Sequence, residues 1–259
     1  MRHRLGPVCP MGICHALARF IEFVAGANDP ADLADLIGDI TQKMGCDFFA
    51  LTHHVDLTGA PSSTIRLHNY PSRWVDYFDR NGLAASDPIH RASQRTAVGF
   101  AWRCVPQMIP LTRRDRHILA LAADHGIGDG FTVPANIPGE AHGSCSFATA
   151  IGHPLPLASL TLAQLAGTFA FEGARRVWQV RGSERATPVC LTDRQRDCLI
   201  WVARGKGDWE ISVILGISEE TVAQHIRQAC EKYGVQKRTS LMVHALFDGT
   251  ISFADIVRR

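Results

Sequence analysis

The sequence predicts an α+β protein: an α/β/α sandwich built on an antiparallel sheet, followed by an all-α helix-turn-helix domain. Three observations lead there. Helical patterns come first, then strand patterns, then further strands and one long helical run, the order that sets helices against an antiparallel sheet. A polar stretch holding Gly182 and Pro188 separates that region from a second patterned one, so it reads as a linker over 182–190 between domains at 14–181 and 191–253. With 259 residues, 46% of them hydrophobic, the chain is long enough for one large core and one small one.

From Cys14 to Gly26 the pattern CHALARFIEFVAG puts Leu17, Phe20, Ile21 and Val24 on one helical face. Asp29 can cap a second helix, Pro30 to Met44, with Pro30 in its first turn, Leu33, Leu36, Ile37 and Ile40 facing inward, and Gly45 closing it. Two strand-like runs follow as an antiparallel pair, Phe48 to Asp56 and Ser63 to Tyr70, divided by the turn-rich Thr58-Gly59-Ala60-Pro61. His53 and His54 sit in the first run. Neighbouring strand residues point to opposite faces, so the two cannot chelate one metal together and are ordinary strand residues. A helix from Pro71 or Ser72 to near Gly82 carries Trp74, Tyr77 and Phe78, and Asp87 can cap a short one from Pro88 to Thr96. Thr112 to Asp124 is helical, and Gly126, Gly128 and Gly130 mark a loop. Phe131 to Asn136 and Gly143 to Ala148 are strands around the turn Pro138-Gly139-Glu140, and Leu160 to Arg181 is the last helix, with Leu162, Leu165, Phe169 and Phe171 apolar.

Beyond the linker, Asp208 can cap a helix in which Ile211, Ile214 and Leu215 share a face, and Gly216 stops it. Ser218 can cap the next, whose apolar Val222, Ile226, Ala229 and Tyr233 recur at helical spacing. Thr221, Ala223, Gln224, Arg227 and Gln228 are left for the outer or flanking face. That fits a helix-turn-helix laying its second helix in a DNA groove, although periodicity by itself fits any small helical domain equally. The motifs carry it further. LTDRQ from Leu191, Gly205-Lys206, Glu210-Ile211, Ile217 to Val222, His225, Lys232, Val235 and Arg238 resemble the DNA-binding domain of LuxR-type transcription regulators over its full length. Gln195 stands where that family usually has a glutamate, which weakens a helix-end ion pair rather than the fold.

Charge sets how such a domain would hold DNA. The net charge is +2, and from Cys190 onward ten Lys and Arg face nine Asp and Glu, so there is no bulk basic field. Binding then rests on where the positive groups sit: Lys206, Arg227, Lys232, Lys237 and Arg238 form the phosphate-side set, and a homodimer on a dyad site doubles the contacts. Thr221, Gln224 and Arg227 lie on the reading face, with Arg227 the better partner for a guanine. The eight cysteines show no CxxC or other short pairing and several sit in apolar patterns, so they read as buried thiols of a reducing, cytoplasmic protein with no metal site. The start, MRHRLGPVCPMGIC, lacks the clean apolar run of a signal peptide, and no stretch approaches the about 18 apolar residues of a membrane span.

Between Asn69 and Trp102 large aromatics gather around one acid: Tyr70, Trp74, Tyr77, Phe78, Asp87, Phe100 and Trp102. By chemistry alone the better reading is a plain aromatic core with Asp87 as a helix cap, since aromatics fill cores more often than they line sites. The spacing adds a resemblance. Asn69-Tyr70-Pro71, Trp74, Asp87-Pro88 thirteen residues on, Trp102 fifteen beyond that, and the small residues Gly143 and Ser146 resemble the autoinducer-binding domain of quorum-sensing LuxR-type regulators. The ligand this implies is an N-acyl-homoserine lactone, with no further cofactor. An indole N–H can only donate, so Trp74 suits the lactone carbonyl; an ionised carboxylate can only accept, so Asp87 suits the amide N–H. Tyr70 and Ser146 hydroxyls suit the amide carbonyl, and Trp102 stacks on the ring. Phe78 stands where the family often has a tyrosine, which opens the acyl-chain length and substituents. Phe49, Leu51, Ile65 and Phe147 are candidate tail-wall residues. The expected protein is a ligand-responsive transcription regulator of quorum sensing; the alternative is an orphan LuxR-type regulator that senses a different small molecule or acts without one. An enzyme is not expected, since no GxSxG elbow or matching histidine accompanies Tyr70, Asp87 and Ser146.

Overall fold

A computed structural model of the chain describes residues 11–55, 64–138, 140–181 and 189–257. The amino-terminal residues 1–10, the expected turn at 58–61, Gly139 and 182–188 of the expected linker lie outside the described residues. The chain divides into two compact units, the first of residues 1–136 and 141–183, the second of 137–140 and 184–259.

The first unit runs α1 (Met11–Gly26), α2 (Pro30–Lys43), β1 (Phe48–His53), β2 (Arg66–His68), α3 (Ser72–Arg80), α4 (Pro88–Ser93) and β3 (Phe100–Ala101), then a 3-10 turn at Trp102–Cys104. It continues with α5 (Val105–Met108), α6 (Arg113–Asp124), β4 (Ile127–Ala135), β5 (Gly143–Ala150) and α7 (Leu160–Arg181). The five strands form one antiparallel sheet in the order β2-β1-β5-β4-β3. Helices α2 and α7 pack on one face; α4 and α6 pack on the other, giving the three layers the pattern predicts.

Caps fix the helix starts. The Asp29 carboxylate accepts the Ala31 N–H at 2.6 Å, and Asp87 accepts the Ile89 N–H at 2.7 Å, each ahead of a proline in the first turn. Thr112 and Asp115 form a reciprocal capping box on α6. Asp115 also accepts the Arg91 guanidinium at 2.8 Å, tying α4 to α6. Its burial works to raise the carboxyl pKa, but the Thr112 and Arg91 bonds outweigh burial and hold it below the ordinary range.

Two expectations change at the strands. The strands β1 and β2 are shorter than their apolar runs. Gly128 and Gly130 lie inside β4 rather than in a loop, because the space a side chain would need is already taken. A Cβ on Gly128 would come within 2.8 Å of the Ala150 carbonyl, and one on Gly130 within 2.5 Å of the Trp102 indole. The short β3, the 3-10 turn and α5 have too few residues to show a period in sequence.

The second unit is helical: α8 (Asp193–Ala203), α9 (Asp208–Leu215), α10 (Glu219–Lys232), α11 (Arg238–Phe247) and α12 (Phe253–Val257). Leu199, Ile211, Val222, Ile226, Ala229 and Leu241 make its core. Gly216 ends α9 in the left-handed conformation at φ 66°, open to glycine at no cost, and Ser218 caps α10 by accepting the Thr221 N–H at 3.1 Å. Asp208 is not the α9 cap. Gly207 holds that position, and the Asp208 carboxylate instead takes both terminal nitrogens of Arg238 at 2.8 and 3.1 Å. Of the expected apolar face of α9 only Ile211 is buried; Ile214 is 42% exposed. Gln195 is buried and loses no bonding for lack of charge. It caps Thr192, accepts Lys232 Nζ at 2.9 Å and donates to Gln228 at 3.1 Å.

Candidate functional site

On the α4/α6 side of the sheet lies a cavity of about 100 Å³, and all six expected ligand residues, Tyr70, Trp74, Phe78, Asp87, Trp102 and Ser146, line it. They arrive from separate elements. Tyr70 follows β2, Trp74 and Phe78 stand one turn apart on α3, Asp87 caps α4, Trp102 opens the 3-10 turn after β3, and Ser146 is mid-strand on β5.

Asp87 serves both readings, as a helix cap through one oxygen and as the acid of the cavity wall. Trp74 is 6% exposed, with its ring edge-on to Phe78 at 5.7 Å and tilted against His125 at 5.6 Å. Among the described residues its indole N–H has no hydrogen-bond partner, which leaves a donor for a ligand. Trp102 differs: its indole N–H donates to Thr132 Oγ1 at 2.8 Å, and Thr132 Oγ1 is 2.8 Å from Ser146 Oγ. That indole is therefore committed inside the protein and presents its ring. Burial, with the Asp87 charge nearby, pushes the Tyr70 phenol pKa up, so it stays a neutral hydroxyl able to donate.

The register explains what the sequence misses. Ala50, Ser146, Thr132 and Phe100 sit side by side across β1, β5, β4 and β3. Thr132, fully buried, links Trp102 to Ser146, and only strand pairing brings it there. The expected tail-wall residues Phe49, Leu51, Ile65 and Phe147 are buried but do not line the cavity. Side chains alternate across a strand, and Ala50 and Thr52 of β1 and Ser146 of β5 take the cavity side. Both faces of these strands are covered, so their apolar pattern carries no mark of which face holds a ligand. The lining also includes Thr52, Arg66, His68 and His90, none of them expected.

Gly130 lets the Trp102 ring lie against the sheet. Gly130→Ala is expected to displace that indole, cost about 1 to 3 kcal/mol of stability by overpacking, and lower the temperature at which the purified chain unfolds. A melting temperature equal to wild type would show that the ring moves freely.

In the second unit Gln224 and Arg227 are exposed on α10 and, among the described residues, without hydrogen-bond or ionic partners. Thr221 is engaged by the Ser218 cap, its hydroxyl 2.7 Å from Ser218 Oγ. Lys206 pairs with Glu210 at 2.7 Å, Arg238 is held by Asp208, and Lys237 is exposed. Lys232 donates to the Cys190 carbonyl at 2.7 Å as well as to Gln195, so it anchors the start of the domain.

Residues 29–174, more than half the chain, match the autoinducer binding domain, and residues 189–245 match the bacterial regulatory proteins of the luxR family. The chain belongs to the LuxR family. Among relatives of this LuxR-type regulator, the transcriptional activator AhyR of Aeromonas hydrophila is 28% identical over 91% of this chain and 92% of its own length. The quorum-sensing-dependent regulator RpaR of Rhodopseudomonas palustris is 30% identical over 74% of this chain and 77% of its own. SdiA in complex with octanoyl-rac-glycerol shares the fold at a TM-score of 0.65 and 22% identity, covering 95% of this chain and 99% of that one. The LuxR-type regulator is thus a ligand-responsive transcription regulator of quorum sensing, with a small-molecule signal for its first domain and DNA for its second. Its relatives are regulators of transcription, not enzymes. Among the described residues no helix is long and apolar enough to cross a membrane.

Proposed function

We propose that the signal is an N-acyl-homoserine lactone, held with its head against Trp74, Asp87, Tyr70 and Ser146 and with Trp102 under the lactone ring. The observation that carries this is the convergence of an unpartnered indole donor and a carboxylate on one cavity. Those two groups are what a lactone carbonyl and an amide N–H require. The lactone stabilises the folded form by RT ln(1 + [L]/Kd), on the order of 3 kcal/mol at a hundredfold excess over Kd. In that form two chains pair in the cytoplasm and set two copies of α10 on a dyad site, where Gln224 and Arg227 read base edges and Lys206, Lys237 and the edge of the clamped Arg238 lie toward phosphates.

A second reading has support from SdiA, whose partner octanoyl-rac-glycerol is an acyl chain on a polar head with no amide. The chain would then be an orphan receptor for a different amphiphile. Mass spectrometry of small molecules extracted from the purified protein, expressed in cells that make a range of acyl-homoserine lactones, separates the two. A stoichiometric lactone is expected. Recovery of acylglycerols, or of nothing, overturns the lactone assignment.

A further inference from the structure

The head takes up five lining residues, and His90 is not one of them. Its ring is fixed by three contacts. Nδ1 lies 2.9 Å from the Ala84 carbonyl oxygen, the ring stacks on His54 with centroids 3.8 Å apart and planes 10° from parallel, and it stands edge-on to Phe78 at 5.9 Å. A carbonyl can only accept, so Nδ1 carries the hydrogen, and in the neutral ring Nε2 is left with a lone pair and no proton. Among the described residues nothing hydrogen-bonds Nε2, while His90 lines the cavity. Burial, then the neighbouring His90, hold the His54 imidazole well below its ordinary range, so the stacked pair does not carry two charges.

The cavity therefore offers an acceptor that a plain hydrocarbon tail leaves unmatched. Its place along the ligand follows from α4. Asp87 is the N-cap and His90 the third residue of α4, the pair of positions whose side chains come together in a capping box, and both line the cavity. With the amide N–H on Asp87, a group on the third acyl carbon falls within reach of His90. We propose that the natural ligand carries a hydroxyl there, donating to His90 Nε2, so that the pocket selects 3-hydroxyacyl over unsubstituted and 3-oxoacyl lactones. A 3-oxo oxygen has lone pairs only, and it would face the lone pair of Nε2. The inference rests on the lactone reading of the head and deepens it.

The test is a competition. The full chain is expressed with an equimolar mixture of N-decanoyl-, N-(3-oxodecanoyl)- and N-(3-hydroxydecanoyl)-homoserine lactone, purified at about pH 8, above the ordinary titration range of imidazole, and the retained lactones are quantified by mass spectrometry. The 3-hydroxy compound is expected to be enriched about tenfold over each of the others, the worth of one well-placed hydrogen bond. His90→Leu is expected to bring the ratio to the decanoyl compound near one. Equal or greater retention of the decanoyl or 3-oxo compound by wild type overturns the inference and leaves the lactone head intact. Retention of none of the three overturns the head assignment with it. If His90→Leu yields no folded protein, the wild-type ratio still decides.

Discussion

Asp87→Asn is expected to abolish lactone-dependent reporter activation while leaving the fold in place. The reason lies in the two tasks of this side chain. Asparagine caps a helix about as well as aspartate, so the bond to the Ile89 N–H survives. With its single oxygen used by the cap, the amide then turns an NH2 toward the ligand's amide N–H, donor against donor. Leaving that buried group unmatched costs about 1 to 3 kcal/mol, roughly tenfold to a hundredfold in Kd. Trp74→Phe keeps an aromatic ring against Phe78 and His125 but removes the free indole donor, and is expected to act the same way. A reporter dose-response curve, with circular dichroism of the full-length variants as the folding control, reads both. Full activation by both variants at wild-type lactone concentrations rules out these contacts.

Arg227→Ala should change which DNA is bound more than whether DNA is bound. Its side chain is exposed on α10 and free to give a guanine two hydrogen bonds, a contact worth about 1 to 3 kcal/mol of discrimination. Lys206, Lys232 and Arg238, by contrast, are already engaged by Glu210, Gln195 and Asp208. Competition binding with sites mismatched one base pair at a time is expected to show preference relaxed at one position in each half-site. Discrimination retained at every position would remove Arg227 from the reading face.

Much of this was legible in the residues because it is local. Asp29, Asp87, Thr112 and Ser218 announce helix starts through their own side-chain oxygens, and Gly216 announces an end by tolerating positive φ. The α7 boundaries follow from an unbroken apolar period. Where residues misled, the cause was a partner distant in sequence. Gly130 reads as a loop until the Trp102 ring is seen against it, Asp208 reads as a cap until Arg238 takes its carboxylate, and Phe49 and Leu51 read as tail wall until the sheet assigns faces.

The sequence by itself determined the two-domain plan, the class of regulator, and the six residues that gather on one cavity, since these are set by spacing and side-chain chemistry along the chain. Only the tertiary structure decided that Trp102 spends its N–H on Thr132, that His90 adds an acceptor to the wall, and which cations on the DNA-binding domain remain free. Those outcomes depend on strand register and chiefly on contacts between residues far apart in sequence, such as Trp102 with Thr132, His90 with His54, Arg238 with Asp208 and Lys232 with Gln195. No local period records them, because the free energy that fixes them is gained only when separate elements come together.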